Sequence, residues 1–356
     1  MKEQKFGIEI EMSGLTRQRA AQVVAEHFGS RAYQNGNGWA ATDDQGRIWK
    51  FVNDGSIQVQ RRHPNQLAEA VELVSPICSY GDIPTIQELV RKLRAAGALS
   101  DKSCGIHIHI DASTHNARTL RNITNIMASK EDLIYKTLRV HVDRERQYCK
   151  KVDYRFLEEL NRRKPQTLEQ VSRIWYNGGD RSRHRYDGTR YHCLNLHSVF
   201  EKGTIEFRLF NSDIQHAGKI KAYIQLCLAI SHQALTQRYA SRTRTQSSNE
   251  KYTFRTWLLR LGLIGEEFST ARLHLLENLE GNIAWKDPAQ AERQKERLRQ
   301  KREKEIEQAR ELEMERVSVP ETVPATAMQG ETTTQQEQNI HQTGEHEQAP
   351  GLSLSI

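Results

Sequence analysis

Three short stretches of this 356-residue chain share one construction: Phe6-Gly7-Ile8-Glu9-Ile10-Glu11-Met12, Gly105-Ile106-His107-Ile108-His109-Ile110-Asp111 and Thr204-Ile205-Glu206-Phe207-Arg208-Leu209-Phe210. In each, apolar residues alternate with polar ones at the period of a β-strand, so every second side chain points to the same side. One face of the resulting sheet is apolar. The other gathers Glu9, Glu11, His107, His109, Asp111, Glu206 and Arg208, a charge density that calls for a charged ligand. Metal-bound phosphate is the ligand that fits both signs of charge.

The chain is long enough for one large domain or two small ones. Its apolar fraction of 37% and mean hydropathy of −0.74 are low for a chain packed throughout, and the end of the sequence accounts for this. From Val317 onward there is no Lys or Arg, five Glu (321, 331, 337, 345 and 347) and a run of Thr, Gln, Gly and Pro. Such a composition cannot offset chain entropy by burial, so 317–356 reads as a disordered tail. Setting those five carboxylates aside raises the net charge of the remainder from +7 to +12. That basic body favours anionic partners, nucleotide and nucleic acid alike.

Five cysteines (Cys78, Cys104, Cys149, Cys193 and Cys227) are scattered and form no C-x-x-C pair, the usage of a reducing compartment. The first residues lead into a strand without an apolar signal core, and no stretch has the length of a membrane span. The expectation is a cytoplasmic protein with no membrane partner.

Along the chain, Thr16 caps a predicted helix that runs to Phe28. Strand-like pieces follow near 31–41, 47–52 and 56–60, with turns at Asn35-Gly36-Asn37-Gly38 and Asn53-Asp54-Gly55. A strand ending in Glu72-Leu73-Val74-Ser75-Pro76 precedes an amphipathic helix over Ile83–Ala96. After the 105–111 strand come a long helix over 116–137, a basic helix-and-loop stretch over 139–190, paired strands at 190–199 and 203–211, a helix over 216–238 and further helix within 253–280. From Lys286 to Arg316, ten basic and nine acidic side chains interleave without an apolar stripe, which reads as a solvated helix. The expected organisation is a catalytic domain over 1–240, with 139–190 as a basic insertion, a helical extension over 241–285, a charged helix over 286–316 and the tail.

Glu9-x-Glu11 sets two carboxylates about 7 Å apart on one strand face, able to reach different hard cations or to share a pair. A solvated strand face carries the same pattern. His107-x-His109 follows Cys104-Gly105, and a glycine at that point allows close approach by a ligand. Two hydrogen-bonded structural histidines are the alternative. With carboxylates nearby and no thiolate in the motif, mixed oxygen and nitrogen ligation suits Mg²⁺ or Mn²⁺, while a catalytic zinc on two His and one Glu is also compatible. Glu206-x-Arg208 sets an acid beside a permanent cation, as metal ligand and oxyanion clamp or as a simple ion pair. Glu72 is a further candidate ligand. Asp54-Gly55-Ser56 reads best as a hairpin turn. Arg190 and Asn195, near the edge of a predicted strand, read equally as substrate contacts or as structural residues, and Arg181–Arg185 form an arginine-rich loop suited to a lid or to plain solvation.

The sequence contains no G-x-x-x-x-G-K-[ST], G-x-G-x-x-G, H-E-x-x-H or G-x-S-x-G motif, so any phosphate handling runs through metals and arginine. In order, F-G-I-E-I-E, E-L-V-S-P, C-G-I-H-I-H-I, R-Y-x-x-L-N and G-T-I-E-F-R-L-F resemble the motifs of the amidoligase family, over roughly residues 5–235. That family is related to the glutamine synthetase and glutamate-cysteine ligase catalytic fold. The resemblance implies an α+β protein with a largely antiparallel, curved sheet and flanking helices, whose concave face holds two or three divalent cations. It further implies an ATP-dependent carboxylate–amine ligase using Mg²⁺ or Mn²⁺. By position, Glu9, Glu11, Glu72, His107 and Glu206 resemble the metal ligands, and His109 the histidine expected near ATP. Arg208 resembles the arginine that stabilises the transferring phosphoryl group. Asn195 and Arg190 belong to the R-Y-x-x-L-N motif and are carried as cofactor-binding and catalytic candidates.

The expected chemistry is two-step amide synthesis, in which a small-molecule or peptide carboxylate is phosphorylated and an amine then displaces phosphate. One rival is a metal-dependent hydrolase in which His107, His109 and a carboxylate activate water. The other is a basic nucleic-acid-binding protein, disfavoured by sparse aromatics and by acidic clusters that would repel a phosphate backbone.

Overall fold

A computed structural model of the protein describes residues 1–317. Its strands are β1 (Phe6–Met12), β2 (Tyr33–Asn35), β3 (Gly38–Thr42), β4 (Ile48–Val52), β5 (Val71–Val74), β6 (Gly105–Asp111), β7 (Leu194–Asn195) and β8 (Thr204–Asn211). The helices are α1 (Arg17–His27), α2 (Ile83–Ala95), α3 (Ala117–Leu138), α4 (Val142–Gln147), α5 (Tyr154–Arg163), α6 (Leu168–Trp175), α7 (His197–Lys202), α8 (Ala217–Thr236), α9 (Glu250–Arg260), α10 (Ser269–Leu276) and α11 (Pro288–Val317). The strands form one open antiparallel sheet in the order β2-β3-β4-β5-β1-β6-β8-β7, flanked by helices. Residues up to Glu296 make one compact unit, and a second begins at Arg297, inside α11. The tail expected beyond 317 lies outside the described residues. No described helix is long and apolar enough to cross a membrane.

Sequence alternation fixes the sheet. Phe6, Ile8, Ile10 and Met12 of β1 and Ile106, Ile108 and Ile110 of β6 are all buried, in one core with Leu89 and Val90 of α2, Leu120 and Ile123 of α3 and Ile224 and Leu228 of α8. Each such side chain contributes roughly 1.5–3 kcal/mol by leaving water. Caps set the helix starts. Thr16 accepts from the Arg19 amide at the head of α1, and Asn116 accepts from the Thr119 amide at the head of α3.

The four strands that carry the conspicuous polar residues, β5, β1, β6 and β8, are neighbours in the sheet. Register pairs Glu9 with His107, Glu11 with Glu72 and His109 with Glu206. Between the Ile106–Phe210 and Ile108–Phe207 pairs β8 carries one extra residue, a bulge that returns Phe210 to the apolar face after Arg208 has turned to the polar one.

Two sequence expectations are corrected here. Residues 56–60 alternate as a strand would, yet the Gln58 and Gln60 amides donate to the hydroxyls of Ser103 and Ser13, so the segment joins no ladder. Asp54-Gly55 therefore turns no hairpin, and β4 pairs instead with β5. The strand expected over 190–199 is only Leu194–Asn195, because His197–Lys202 form α7, ended by Gly203 at φ 72°.

Gly38 sits across from β4, where an added Cβ would lie 2.4 Å from the Phe51 carbonyl oxygen. Gly38→Ala should cost about 1–3 kcal/mol of stability in chemical denaturation, because a paired backbone cannot move aside. Gly188→Ala, which meets nothing within 4 Å, should change it by less than ~0.5 kcal/mol. Equal effects would contradict the close packing of β3 on β4.

Candidate active site

The polar face of β5, β1, β6 and β8 forms the floor of a cavity of about 590 Å³, within the ~300–1,000 Å³ range of small-molecule sites. Of the nine residues singled out from the sequence, eight line it: Glu9, Glu11, Glu72, His107, Arg190, Asn195, Glu206 and Arg208. The ninth, His109, is buried beside them, its Nε2 3.3 Å from a Glu9 oxygen. Asp111 shares the alternation but not the site, since its carboxylate accepts from the amide and hydroxyl of Ser113 in the turn after β6.

Strand register determines who meets whom. The His107 Nδ1 lies 3.1 Å from Glu9 Oε2, and its Nε2 lies 3.6 Å from Glu11 Oε1. Both Glu206 oxygens are held, one by the Arg208 guanidinium and the other by the Asn195 amide at 2.6 Å. Asn195 in turn accepts from the His197 amide, so the short β7 and the start of α7 brace Glu206. Arg208 Nε also reaches the Tyr148 carbonyl at 3.4 Å. Arg190 lies over the rings of Tyr186 and Tyr191. The arginine-rich loop is partly self-tied, for Arg181 pairs with Asp187 at 3.3 Å, while Arg185 lines the cavity.

The carboxylates are driven apart in acidity. Burial, then the charges of Glu9, Glu11 and Asp54, push the Glu72 carboxyl up to about 9. Burial also raises Glu11, although His107, Arg144 and the Gly105 amide oppose it. For Glu206, burial is outweighed by Arg208 and the two histidines, which bring it down to about 2. Glu9 is likewise held well below the usual range, because the charge of His109 and hydrogen bonds from both imidazoles overcome its burial. Burial disfavours the charged form of His109, but Glu9 and Glu206 override it and raise its pKa. Four carboxylates this close cannot all ionise unaided, and Glu72 holds the proton.

These donors suit cations. Three groups, Glu9 with His109 and Glu206, Glu9 with Glu72 and His107, and Glu11 with Asp54 and Glu72, each keep their ligand atoms within 4.8 Å of one another. Glu9 and Glu72 each belong to two groups, which makes the three a continuous row. The buried His109 Nε2 lies 3.3 Å from Glu9 Oε1 and 3.9 Å from Glu206 Oε1, the two carboxylates of its group. An oxygen-rich set with single imidazoles fits Mg²⁺ or Mn²⁺. Among the described residues no such group contains both histidines, so the two-histidine, one-carboxylate arrangement of a zinc hydrolase is not formed.

Sequence reading missed two members of this site. Asp54 enters the row because the chain after β4 does not fold back as a hairpin. Arg144, from α4, lines the cavity from within the basic insertion. Its signal was Gly105, expected to admit a ligand: the group that approaches that glycine is the Arg144 guanidinium.

The antiparallel sheet thus gathers carboxylates and imidazoles in a cleft edged by arginines, a candidate active site able to hold cations. Residues 2–231 match the family described as "putative amidoligase enzyme", and the chain belongs to that family of ligases. The matched span covers every strand of the sheet and ends inside α8. No curated protein matches the chain.

Because the folded-state pKa of Glu72 lies above its unfolded value, the stability tied to its proton is complete below about pH 4.5 and is lost as pH rises toward 9. With chelator present, thermal stability should therefore decline across that window, and Glu72→Gln should flatten the decline and melt several degrees above wild type at pH 8. A Glu72→Gln protein no more stable than wild type at pH 8 would show that Glu72 is not under this repulsion.

Proposed function

We propose that this protein is an ATP-dependent carboxylate–amine ligase that works through an acyl phosphate with Mg²⁺ or Mn²⁺, on a sheet of the glutamine synthetase catalytic type. The row of three ligand groups, two with one imidazole each and one of carboxylates alone, ending at the Glu206–Arg208 pair, carries this reading. Phosphoryl transfer needs little covalent help from protein and much neutralisation of negative charge, which is what such a row is equipped to give. Glu9, Glu11, Asp54, Glu72, His107, His109 and Glu206 would hold the cations. When bound, these would screen the phosphate oxygens and the charge that develops on them during transfer.

The remaining roles fall to the chain's own groups. The substrate carboxylate oxygen attacks the γ-phosphorus of ATP, ADP leaves, and an acyl phosphate forms. The amine then attacks the acyl carbon, phosphate departs, and the amine gives up a proton as the amide forms. Arg208, a permanent cation braced by Glu206 and the Tyr148 carbonyl, is positioned to grip the transferring phosphoryl group. Asn195 keeps Glu206 oriented and stands at the cavity wall, within reach of the nucleotide. Arg190, stacked on Tyr186 and Tyr191, is suited to steady the acid. No protein nucleophile is required, consistent with the chain's cysteines: all five are buried, and burial pushes the thiols of Cys104 and Cys149 up to about 11.

The test is amine-dependent ADP release from ATP and Mg²⁺ across a panel of amino acids and peptides. With a working pair of substrates, Glu9→Gln and Arg208→Ala should each slow release about 10²–10³-fold without unfolding the protein. Unchanged release in either variant, or tightly held zinc with no nucleotide binding by calorimetry, would overturn the proposal.

A further inference from the structure

Arg144 takes no part in the chemistry above, yet it is one of the most deeply placed charges of the cavity, 3% exposed. Among the described residues it forms no ion pair. Its Nε has no hydrogen-bond partner, and among the described residues the guanidinium makes one hydrogen bond, from Nη2 to the Arg208 carbonyl at 3.3 Å. Glu11, which also lines the cavity, is already engaged, accepting from the Gly105 amide at 2.5 Å. Glu11 feels the charge of Arg144 without contacting it. A buried guanidinium with no ion-pair partner in contact is costly, and one that faces a cavity is stabilised by an anion brought into that cavity.

The fold makes room for this side chain at a defined place. A Cβ on Gly105 would lie 2.2 Å from Nη2, 2.6 Å from Nη1 and 2.7 Å from Cζ of Arg144. The Nη1 and Nη2 end of the guanidinium thus lies against Gly105 at the start of β6, where any side chain would displace it. By strand rise, Gly105 is about 13 Å from His109, the residue opposite Glu206. Arg144 therefore stands at the Glu11 end of the row, and the Arg208 guanidinium, bonded to Glu206, at the other.

We propose that Arg144 is an oxyanion-binding residue of the active site, holding an anionic group of a substrate at the Glu11 end, and that Gly105 serves to seat its guanidinium. The site stands on its own geometry; only the choice of oxyanion rests on the ligase reading, under which phosphate and the acid's carboxylate both enter the cavity.

The experiment is calorimetric titration of the full chain, in Mg²⁺, with inorganic phosphate and separately with glutarate, alongside ATP·Mg²⁺. Wild type should bind at least one of the two small probes, and which one it binds assigns the source of the oxyanion. Arg144→Ala should weaken that binding about 30-fold or more, and Gly105→Ala comparably, although Gly105→Ala removes no charge. Arg144→Lys should keep part of it, supplying the charge without the planar fork. The exposed Arg31→Ala should match wild type. If Gly105→Ala does not fold, the two Arg144 variants decide. Wild type binding neither probe, or Arg144→Ala binding as wild type does, overturns the proposal. Probe binding that is lost in Arg144→Ala, with no ATP·Mg²⁺ binding by wild type, would keep the oxyanion site and remove the ligase reading. Unchanged probe binding in Arg144→Ala, with normal amine-dependent ADP release, would do the reverse.

Discussion

Everything in the site depends on like charges being forced together by strand register. Glu11 stands directly across from Glu72, and Glu9, on the same strand as Glu11, lies between them and Glu206, which stands two strands away on β8. Opposed carboxylates weaken a sheet. What holds them is the other face of the same strands, where Ile8, Ile10, Ile106, Ile108 and Phe207 are buried almost completely. With a side-chain period of two, a slip of one residue would turn those apolar side chains out and the carboxylates in, so hydrophobic burial locks the charges in place. The repulsion then appears as chemistry: Glu72 is pushed up to about 9 while Glu206 is pulled down to about 2. Such divergence among neighbouring carboxyl groups is characteristic of functional sites.

Much of this was legible in the sequence because it is local. Alternation in three stretches revealed the strands, their apolar face and most of the polar one, and the capping residue Thr16 announced α1. The β-bulge was not legible. It depends on how β6 and β8 align, and it is what allows Arg208 and Phe210 to face opposite sides despite lying two residues apart. The segment 56–60 shows the opposite error, a strand-like alternation whose amides are claimed by Ser13 and Ser103 from distant parts of the chain. Asp54 was hidden for the same reason, since only the path taken after β4 brings it to Glu11 and Glu72. Arg144 lies some forty positions from the glycine that accommodates it, and no local pattern links the two.

Family membership and site geometry converge from independent directions. The matched span covers the whole sheet, and within it the residues that could hold cations form an unbroken row rather than an isolated site. The basic stretch over 139–190 shares the same cavity. Arg144, Tyr148, Arg185 and Arg190 all reach the cavity from it, so the segment least like the strands supplies the wall that faces them.

The central claim is that one face of this sheet is a shared site for several divalent cations, with Glu9 common to two of its groups. Counting Mn²⁺ per chain by equilibrium dialysis, with and without a non-hydrolysable ATP analogue, tests it most directly. The account predicts more than one Mn²⁺ per chain in the presence of nucleotide, and a reduced count in Glu9→Gln. No bound Mn²⁺, or a single ion indifferent to Glu9→Gln, would contradict it.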